Sequence, residues 1–276
     1  MPSVLVTGAS RGIGKAIVEH LAARDWDVIA GVRSQQDADT LTKLNPQRVS
    51  SVLLDVTSAD DIAGLDAALP DQLDAVVNNA GIAVGGAIET LGPDEWRKQL
   101  EINVIGQLAV TKAVLPRLRR ARGRIVFISS VNGRLSMPLV GAYSASKFAL
   151  EAAADALRME LRPWQIRVVV VEPAQTDTDM WRTADDMVAE LEAGLTPEHR
   201  TLYAKHIAGF KKTIPVSQKI AVPAQKVSGV VEEALTARRP RARYVVGIGP
   251  KAMVVVMAAL PTKVRDFALR RMSRQP

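Results

Sequence analysis

The most constraining feature of this 276-residue sequence is a repeated alternation of short apolar segments with helical patterns. The apolar segments are continuous, which is typical of strands buried on both faces of a parallel sheet. Six strands are predicted, at residues 3–7, 27–32, 49–54, 74–77, 124–129 and 167–171. Helices are predicted at residues 12–24, 58–69, 93–119 and 143–161. This βα order predicts a doubly wound α/β fold with helices on both faces of the sheet.

Length and composition agree with one folded unit. Hydrophobic residues make up 47% of the chain, and no linker or repeat interrupts it, so residues 1–276 are predicted to form a single domain. The absence of cysteine and the presence of only three histidines argue against a disulfide framework or a metal site. The N-terminus lacks a signal-peptide pattern, and no apolar run approaches the ~20 residues of a membrane span, which predicts a cytoplasmic location.

A glycine-rich turn follows the first predicted strand. Residues 7–14 read TGASRGIG, with Gly8, Gly12 and Gly14 between the strand and a helix. Glycine lets the backbone approach a ligand closely, and the free N–H groups of a helix N-terminus attract a phosphate. The spacing is not G-x-G-x-x-G, so an ordinary βα turn is the alternative. We interpret the turn as the phosphate site of a dinucleotide.

Two arginines indicate which dinucleotide fits. A carboxylate at the end of the second strand would bind the adenosine 2′-hydroxyl and repel a 2′-phosphate. Arg33 follows that strand here, and no acid occurs before Asp37. Arg33 and Arg11, which lies in the glycine turn, are placed to bind a 2′-phosphate through charge-assisted hydrogen bonds. NADP(H) is therefore favoured over NAD(H), and two ordinary surface arginines are the alternative.

A tyrosine and a lysine lie four residues apart in a helical pattern. They are Tyr143 and Lys147 of the sequence YSASK. The spacing places both on one helix face, within reach of a shared ligand. A nearby ammonium and a cationic oxidised nicotinamide both favour the phenolate, so we expect a lowered pKa for Tyr143 that suits acid–base catalysis near neutral pH. Such a pair also occurs in helices without a catalytic role.

Five motifs occur in one order along the chain. They are TGASRGIG, Asn78-Asn79-Ala80-Gly81, Asn103 in EINVIG, Ser129-Ser130, and YSASK. Together they resemble the short-chain dehydrogenase/reductase family over residues 3–180. The resemblance implies a single-domain Rossmann fold with a seven-stranded parallel sheet, and a nicotinamide-dependent oxidoreductase. The stretches GAIETL and ALPTKVRDFALRRM are similar to the steroid and retinol dehydrogenase branch, whose members often take lipophilic alcohols.

The resemblance implies four catalytic residues. Tyr143 matches the family's acid/base, and Lys147 matches the lysine that binds the nicotinamide ribose and lowers the tyrosine pKa. Ser130 matches the serine that hydrogen-bonds the substrate oxygen, and Asn103 matches the asparagine that holds a water in the proton relay. Two alternatives stay open: an NADP(H) sensor without turnover, although such proteins typically lose the tyrosine or the lysine, and a lyase or epimerase that uses the same pair.

The resemblance also implies a set of cofactor contacts. Asp55 and Val56 match the pair that contacts adenine, and Thr176 and Thr178 match contacts on the nicotinamide side. The full set is Gly8, Ser10, Arg11, Gly12, Ile13, Gly14, Arg33, Asp55, Val56, Asn79, Ala80, Gly81, Tyr143, Lys147, Pro173, Thr176 and Thr178. Ala174 stands where the family has glycine, which predicts local strain if that position needs a positive φ.

The segment after Thr178 departs from the βα rhythm. Residues 179–215 are interpreted as a helical substrate lid over the carboxyl edge of the sheet. Large apolar side chains in the lid suit a hydrophobic substrate, although helix-spaced apolar residues are more often simple packing. The candidate lining residues are Met180, Trp181, Met187, Leu191, Leu195, Tyr203, Ile207 and Phe210.

Charge is unevenly distributed along the chain. Residues 205–276 carry 15 basic and 3 acidic residues, whereas residues 1–204 carry 21 and 26. The basic and apolar C-terminal extension, residues 250–276, suits peripheral contact with an anionic membrane; packing on the body or on a partner subunit is the favoured alternative. Nucleic-acid binding is not expected, because Phe267 is alone among the basic residues of the tail. By the resemblance, the two long helices imply a homodimer or homotetramer.

Overall fold

Seven parallel strands form the central sheet of the protein. The computed structural model describes residues 1–178 and 184–276. The strands of this sheet are β1 (Ser3–Thr7), β2 (Asp27–Val32), β3 (Val49–Leu53), β4 (Ala75–Asn78), β5 (Arg124–Ile128), β6 (Arg167–Glu172) and β9 (Arg243–Val245). A separate short pair joins β7 (Thr176–Asp177) to β8 (Val222–Pro223). The sheet order is β3-β2-β1-β4-β5-β6-β9, so the prediction of a doubly wound, seven-stranded Rossmann sheet is confirmed.

Helices cover both faces of this sheet. They are α1 (Gly12–Ala22), α2 (Gln35–Thr42), α3 (Ala59–Ala68), α4 (Pro93–Leu100), α5 (Gln107–Ala121), α6 (Gly141–Glu160), α7 (Ala184–Gly194), α8 (Pro197–Ile220), α9 (Ala224–Thr236), α10 (Ile248–Ala259) and α11 (Thr262–Met272). Ile17 of α1 packs in one apolar layer, and Val114 of α5 and Leu150 of α6 pack in the other. Val4 and Leu5 of β1 face opposite layers. Both faces of the strands are therefore buried, which explains their continuous apolar sequence.

The strand order reverses beside β1. β2 and β3 extend the sheet on one side of β1, and β4, β5, β6 and β9 extend it on the other. At such a point the loops that leave the two neighbouring carboxyl ends diverge to opposite faces and leave a crevice for a ligand. The glycine turn leaves β1 here, and Asn79 follows β4 at the same edge.

A π-helical turn interrupts the single helix predicted over residues 93–119. The turn occupies Glu101–Gly106 and separates α4 from α5. Asn103 is buried in it, and the Asn103 side-chain amide hydrogen-bonds both the N–H and the C=O of Ile82. Such turns occur frequently at functional sites, and the periodicity of apolar residues does not distinguish them from a continuous α-helix.

The C-terminal third departs from the predicted boundaries. β9 is only three residues long and begins with an arginine, so its sequence gives no apolar run. α8 continues through Pro215 and ends at Ile220, beyond the predicted end of the lid. The predicted extension forms α10 and α11. Within the described ranges, no helix combines the length and the apolar character needed to cross a membrane.

Candidate active site

The predicted site residues gather at the carboxyl edge of the sheet. The glycine turn follows β1, Asn79 follows β4, Ser130 follows β5 and Pro173 follows β6. Parallel strands present their carboxyl ends at the same edge, so four segments that are distant in sequence meet there. Tyr143 joins them from α6, which packs against β6.

The glycine turn is held in a conformation that only glycine fits. Gly8 and Gly12 have φ values of 62° and 54°. A Cβ added to Gly14 would lie 2.2 Å from the carbonyl oxygen of Gly8 and 2.6 Å from Asn79 Nδ2. Asn79 Nδ2 in turn donates to the carbonyl oxygens of Thr7 and Gly8, both at 3.0 Å. The turn therefore has a fixed shape with its backbone open to a close ligand.

The N-terminus of α1 is available to an anion. Arg11 occupies the N-cap position and its side chain makes no capping hydrogen bond, and the first turn contains no acidic residue. Ser10, Gly12 and Ile13 are partly exposed around it, and the Arg11 side chain is exposed. Unpaired N–H groups, the positive end of the helix dipole and a nearby cation fit the pyrophosphate of a dinucleotide.

Arg33 and Asp55 lie at the ends of neighbouring strands. Arg33 is exposed just after β2, and Asp55 is partly exposed after β3, beside the buried Val56. Hydrogen bonds from the Thr57 side chain and backbone lower the Asp55 pKa most, and the charge of Arg33 lowers it further. The structure thus brings the predicted adenosine-end residues together at one corner of the crevice.

Tyr143 and Lys147 project from one face of α6 beside Ser130. Lys147 Nζ donates to the carbonyl oxygen of Ile128 at 2.9 Å and lies 5.8 Å from the centroid of the Tyr143 ring. The Ser130 side chain interacts with the Tyr143 phenol. One serine, one phenol and one ammonium therefore converge at a point where a carbonyl or alcohol oxygen can be held.

Burial controls the pKa values of this pair. It lowers the pKa of Lys147 to about 8, against an opposing effect of the Glu151 carboxylate. It also raises the pKa of Tyr143, and the interaction with the Ser130 side chain offsets only part of that rise. The Tyr143 shift is opposite to the predicted one, because the loss of solvation disfavours the phenolate more than the neighbouring groups favour it.

Asn103 fixes the segment that follows Gly81. Its side-chain oxygen accepts from the N–H of Ile82 at 2.8 Å, and Nδ2 donates to the carbonyl oxygen of Ile82 at 2.9 Å and to Ser146 Oγ at 3.1 Å. The amide thus ties the partly exposed end of the Asn79–Gly81 segment to α6. Its predicted role in holding a water stays a prediction.

The segment after β6 folds back against the glycine turn. A Cβ added to Gly12 would lie 3.3 Å from Thr178 Cγ2, so Thr178 is close to the predicted phosphate site. Thr176 is buried, and its hydroxyl donates to the carbonyl oxygen of Ala174 at 3.2 Å. Ala174 does not adopt a positive φ. The alanine that stands in place of the family's glycine therefore causes no backbone strain at this position.

Two buried glutamates near this site were missed by the sequence interpretation. Glu151 lies four residues after Lys147 on α6, and Glu172 ends the otherwise apolar strand β6. Both side chains are buried. Two features of the sequence indicate them. Glu151 lies four residues after a predicted catalytic lysine, and Glu172 follows a run of four valines.

Comparison with known proteins decides the family. Residues 2–189 match the family described as short chain dehydrogenase. The chain belongs to the short-chain dehydrogenase family. Short-chain dehydrogenases are oxidoreductases that bind a nicotinamide cofactor and act on an alcohol or carbonyl group, so this general activity is assigned to the protein. The predicted resemblance is confirmed.

Two curated relatives and a solved structure match nearly the whole chain. An NADPH-dependent 3-dehydrocapnine reductase of Ornithobacterium rhinotracheale is 33% identical, over 96% of this chain and 95% of the relative. Human retinol dehydrogenase 16 is also 33% identical, over 99% and 89%. A solved short-chain dehydrogenase of Burkholderia cenocepacia in complex with NADP is 25% identical, with a TM-score of 0.75 over 100% of this chain and 98% of the other. The similarity to the retinol dehydrogenase-like branch is therefore confirmed as well.

Proposed function

We propose that the protein is an NADP(H)-dependent enzyme that interconverts a lipophilic alcohol and the corresponding ketone or aldehyde. The observation that carries the proposal is the convergence of Ser130, Tyr143 and Lys147 beside a glycine turn shaped for a dinucleotide. The whole chain, with residues 179–215 as a substrate lid, would act as a single catalytic domain.

The proposed mechanism divides the work among three side chains. The nicotinamide cofactor supplies or accepts a hydride when bound. The Ser130 hydroxyl and the Tyr143 phenol hold the substrate oxygen, and Tyr143 donates its proton to that oxygen during reduction. The raised pKa of Tyr143 keeps the phenol in its protonated form before the reaction. Lys147, held by its hydrogen bond to Ile128, places an ammonium beside the ring that stabilises the phenolate once the proton has left.

Selection of NADP(H) is proposed from the two exposed arginines. Arg11 and Arg33 lie at the phosphate and adenosine ends of the crevice, and Ser34, not an acid, follows Arg33. A cation at this position attracts a 2′-phosphate that a carboxylate would repel. The NADPH-dependent relative and the neighbour solved with NADP support the same choice.

A lipophilic substrate is proposed from the lid. A cavity of about 10 Å³ between the lid and the body has a mostly apolar lining, formed by Gly85, Gly86, Leu139, Met187, Val188, Leu191 and Phe210. A space of that size holds about one water, so the proposal requires the lid and the body to separate before a substrate enters. The other predicted lining residues pack in the apolar cluster that contains Ala184 and Val188; they are Ile207, Leu195 and Tyr203. Met180 and Trp181 lie outside the described residues.

Turnover should rise with the length of the apolar chain of the substrate. For a series of aliphatic aldehydes or 2-ketones, we expect kcat/KM with NADPH to increase about fourfold per methylene until the opened site beneath the lid is filled, because each buried CH₂ contributes about 0.8 kcal/mol. Oxidation of NADPH, followed by its absorbance, measures this, with NADH as the control nucleotide. A flat series would contradict the lipophilic substrate, and NADPH binding without any turnover would favour a sensor.

The outward surface of α10 and α11 is proposed to contact a membrane. Val254 and Leu269 pack on Val131 and Leu135 in the segment after Ser130, so these helices lie next to the active site. Their opposite side exposes large apolar residues: Ile248, Val255, Val256, Val264, Phe267 and Met272. Exposed basic residues flank them: Lys251, Lys263, Arg270 and Arg271. This combination suits an anionic lipid surface, from which a lipophilic substrate could reach the site.

Vesicle binding tests this surface. We expect the protein to sediment with vesicles of phosphatidylglycerol and phosphatidylcholine, less with phosphatidylcholine alone, and less at high salt. Phe267→Asp should weaken partition about tenfold or more, because a buried Phe contributes about 1.5–3 kcal/mol. Leu44→Asp, an exposed apolar residue outside this surface, is the control. The proposal would be contradicted if the wild type, Phe267→Asp and Leu44→Asp bound the vesicles equally, or if the wild type did not bind them.

A homodimer or homotetramer is proposed through the outer surfaces of α5 and α6. Phe148 and Met159 of α6 and Ile105 of the adjoining π-helical turn are exposed apolar side chains. Short-chain dehydrogenases commonly form oligomers, and burial of these side chains in a subunit interface would remove them from water.

A further inference from the structure

Two buried carboxylates share one guanidinium behind the active site. Glu172 is completely buried, and Glu151 is 5% exposed. Arg243 Nε lies 2.9 Å from Glu151 Oε2 and 3.4 Å from Glu172 Oε1. Glu151 therefore has the direct hydrogen bond, and Glu172 is the less well paired of the two. Arg243 also reaches Asp155, at 2.7 Å, so its charge is divided among three acids.

Glu172 has a second partner in the segment that carries Ser130. Arg134 Nη1 lies 3.6 Å from Glu172 Oε1. Within the described residues, neither carboxylate oxygen of Glu172 accepts a hydrogen bond of normal geometry. A buried carboxylate that is paired only by ion-pair contacts of this length costs stability. Such groups are found preferentially at functional sites.

The backbone around Glu172 links the segment that follows β5 to the segment that follows β6. Pro173, the next residue, accepts through its carbonyl oxygen from the N–H of Val131 at 3.0 Å and from Ser130 Oγ at 3.4 Å. The carbonyl oxygen of Glu172 accepts from the N–H of Val246 at 3.1 Å. The chain then continues to Thr178, which contacts the glycine turn. Glu172 thus stands between the substrate-oxygen side and the nicotinamide side of the site.

We propose that Glu172 is a positioning residue whose ion pairs with Arg134 and Arg243 hold the segment after Ser130 in register with the segment from Pro173 to Thr178. This role rests on the proposed function of Ser130 and Tyr143. Glu172 itself touches neither substrate nor cofactor. Its carboxylate instead fixes the distance between the segment that carries Ser130 and the segment that ends at Thr178. A change in that distance affects turnover more than nucleotide binding.

The proposed pairing depends on pH. The groups that face Glu172 are Arg134 from the segment after Ser130, Arg243 from β9 and Glu151 from α6. Burial and the Glu151 charge raise the Glu172 pKa to about 7, against the opposing effect of the two arginines. The full negative charge is present only above that pH, so the pairing strengthens as pH rises from 6 to 8. Because the pKa in the folded protein lies above the unfolded value, the same ionisation lowers stability between about pH 4.5 and 7.

Glu172→Gln tests the role, because it keeps the shape of the side chain and removes its charge. We expect kcat/KM to fall about tenfold at pH 8 and to match the wild type at pH 6, where Glu172 already carries a proton. The Kd for NADPH should not change. Arg134→Gln should give the same loss at pH 8, and the double variant should lose no more than either single variant. Additive losses, or an unchanged pH profile in Glu172→Gln, would overturn the proposal.

Hydrogen–deuterium exchange separates this proposal from the proposed function. In Glu172→Gln we expect residues 131–139 to exchange faster than in the wild type at pH 8 but not at pH 6, after correction for intrinsic rates. The midpoint of thermal unfolding should be higher in the variant than in the wild type at pH 8, because a buried charge is gone. Asp94→Asn, which breaks the exposed ion pair with Arg97, is the control. Unchanged exchange would reject the role of Glu172 even if the wild type had no turnover on the substrates tried.

Discussion

Replacement of Tyr143 by phenylalanine should lower kcat/KM for carbonyl reduction about 10²- to 10⁴-fold, the range of general acid–base catalysis. The phenol is the group that faces Ser130 and donates the proton in the proposed reaction, and phenylalanine keeps the ring while removing that donor. The Kd for NADPH should stay within about twofold of the wild-type value, because the contacts of the glycine turn and the two arginines remain. Steady-state kinetics and nucleotide fluorescence titration measure the two quantities.

Tyr244→Phe is the matched control for this experiment. Tyr244 is buried in β9, and its hydroxyl oxygen accepts from the N–H of Arg241 at 3.1 Å. Its loss removes one hydrogen bond outside the proposed catalytic group, so turnover should be retained. Comparable activity of Tyr143→Phe and Tyr244→Phe would show that another group moves the proton.

Removal of Arg33 should change the nucleotide preference. Each charge-assisted hydrogen bond to the 2′-phosphate contributes about 1.5–3 kcal/mol, so Arg33→Ala should weaken NADPH binding about 10- to 150-fold and leave NADH binding nearly unchanged. Arg11→Ala should act in the same direction. Equilibrium titration with both nucleotides gives the ratio of Kd values, which is the quantity that decides selectivity.

Arg97→Ala serves as the control for a general loss of positive charge. Arg97 is exposed on α4 and pairs with Asp94. Its removal changes the net charge by the same amount as the loss of Arg33, but outside the proposed nucleotide crevice. If Arg33→Ala weakens the binding of NADPH and NADH equally, the arginine does not recognise the 2′-phosphate, and the proposed preference for NADP(H) is wrong.

The sheet and the clustering of the site were predictable because both follow from local patterns. Continuous apolar runs such as Ser3–Thr7 indicate strands covered on both faces, and parallel strands place their carboxyl ends together. Asn79 and Ser130 follow two such strands, so their meeting at one edge is predictable, and the structure brings Tyr143 to the same edge. Their individual roles stay predictions that the variants above test.

Other features were not predictable, because they depend on partners that are distant in sequence. The π-helical turn forms where the amide of Asn103 bonds the backbone of Ile82, a contact that spacing does not reveal. β9 has only three residues, and its place in the sheet comes from pairing with β6. The direction of the Tyr143 pKa shift follows from the tertiary packing around a partly exposed phenol, whereas the sequence shows only the neighbouring lysine.

The proposed lid has an apolar cluster that is separate from the two layers around the sheet, and that separation bears on how such enzymes diversify. The buried members of this cluster include four residues of the C-terminal helices: Ala184, Val188, Ile207 and Ile214. Its other buried members are Ala87 and Leu139 of the body. None of the six belongs to the two layers around the sheet. Substitutions in such a cluster are nearly additive with changes in the sheet. If residues 179–215 act as the proposed lid, a lineage can replace these side chains and acquire a new substrate while it inherits the proposed proton-transfer group intact. Directed evolution can use the same boundary, by randomising lid residues in an otherwise unaltered scaffold.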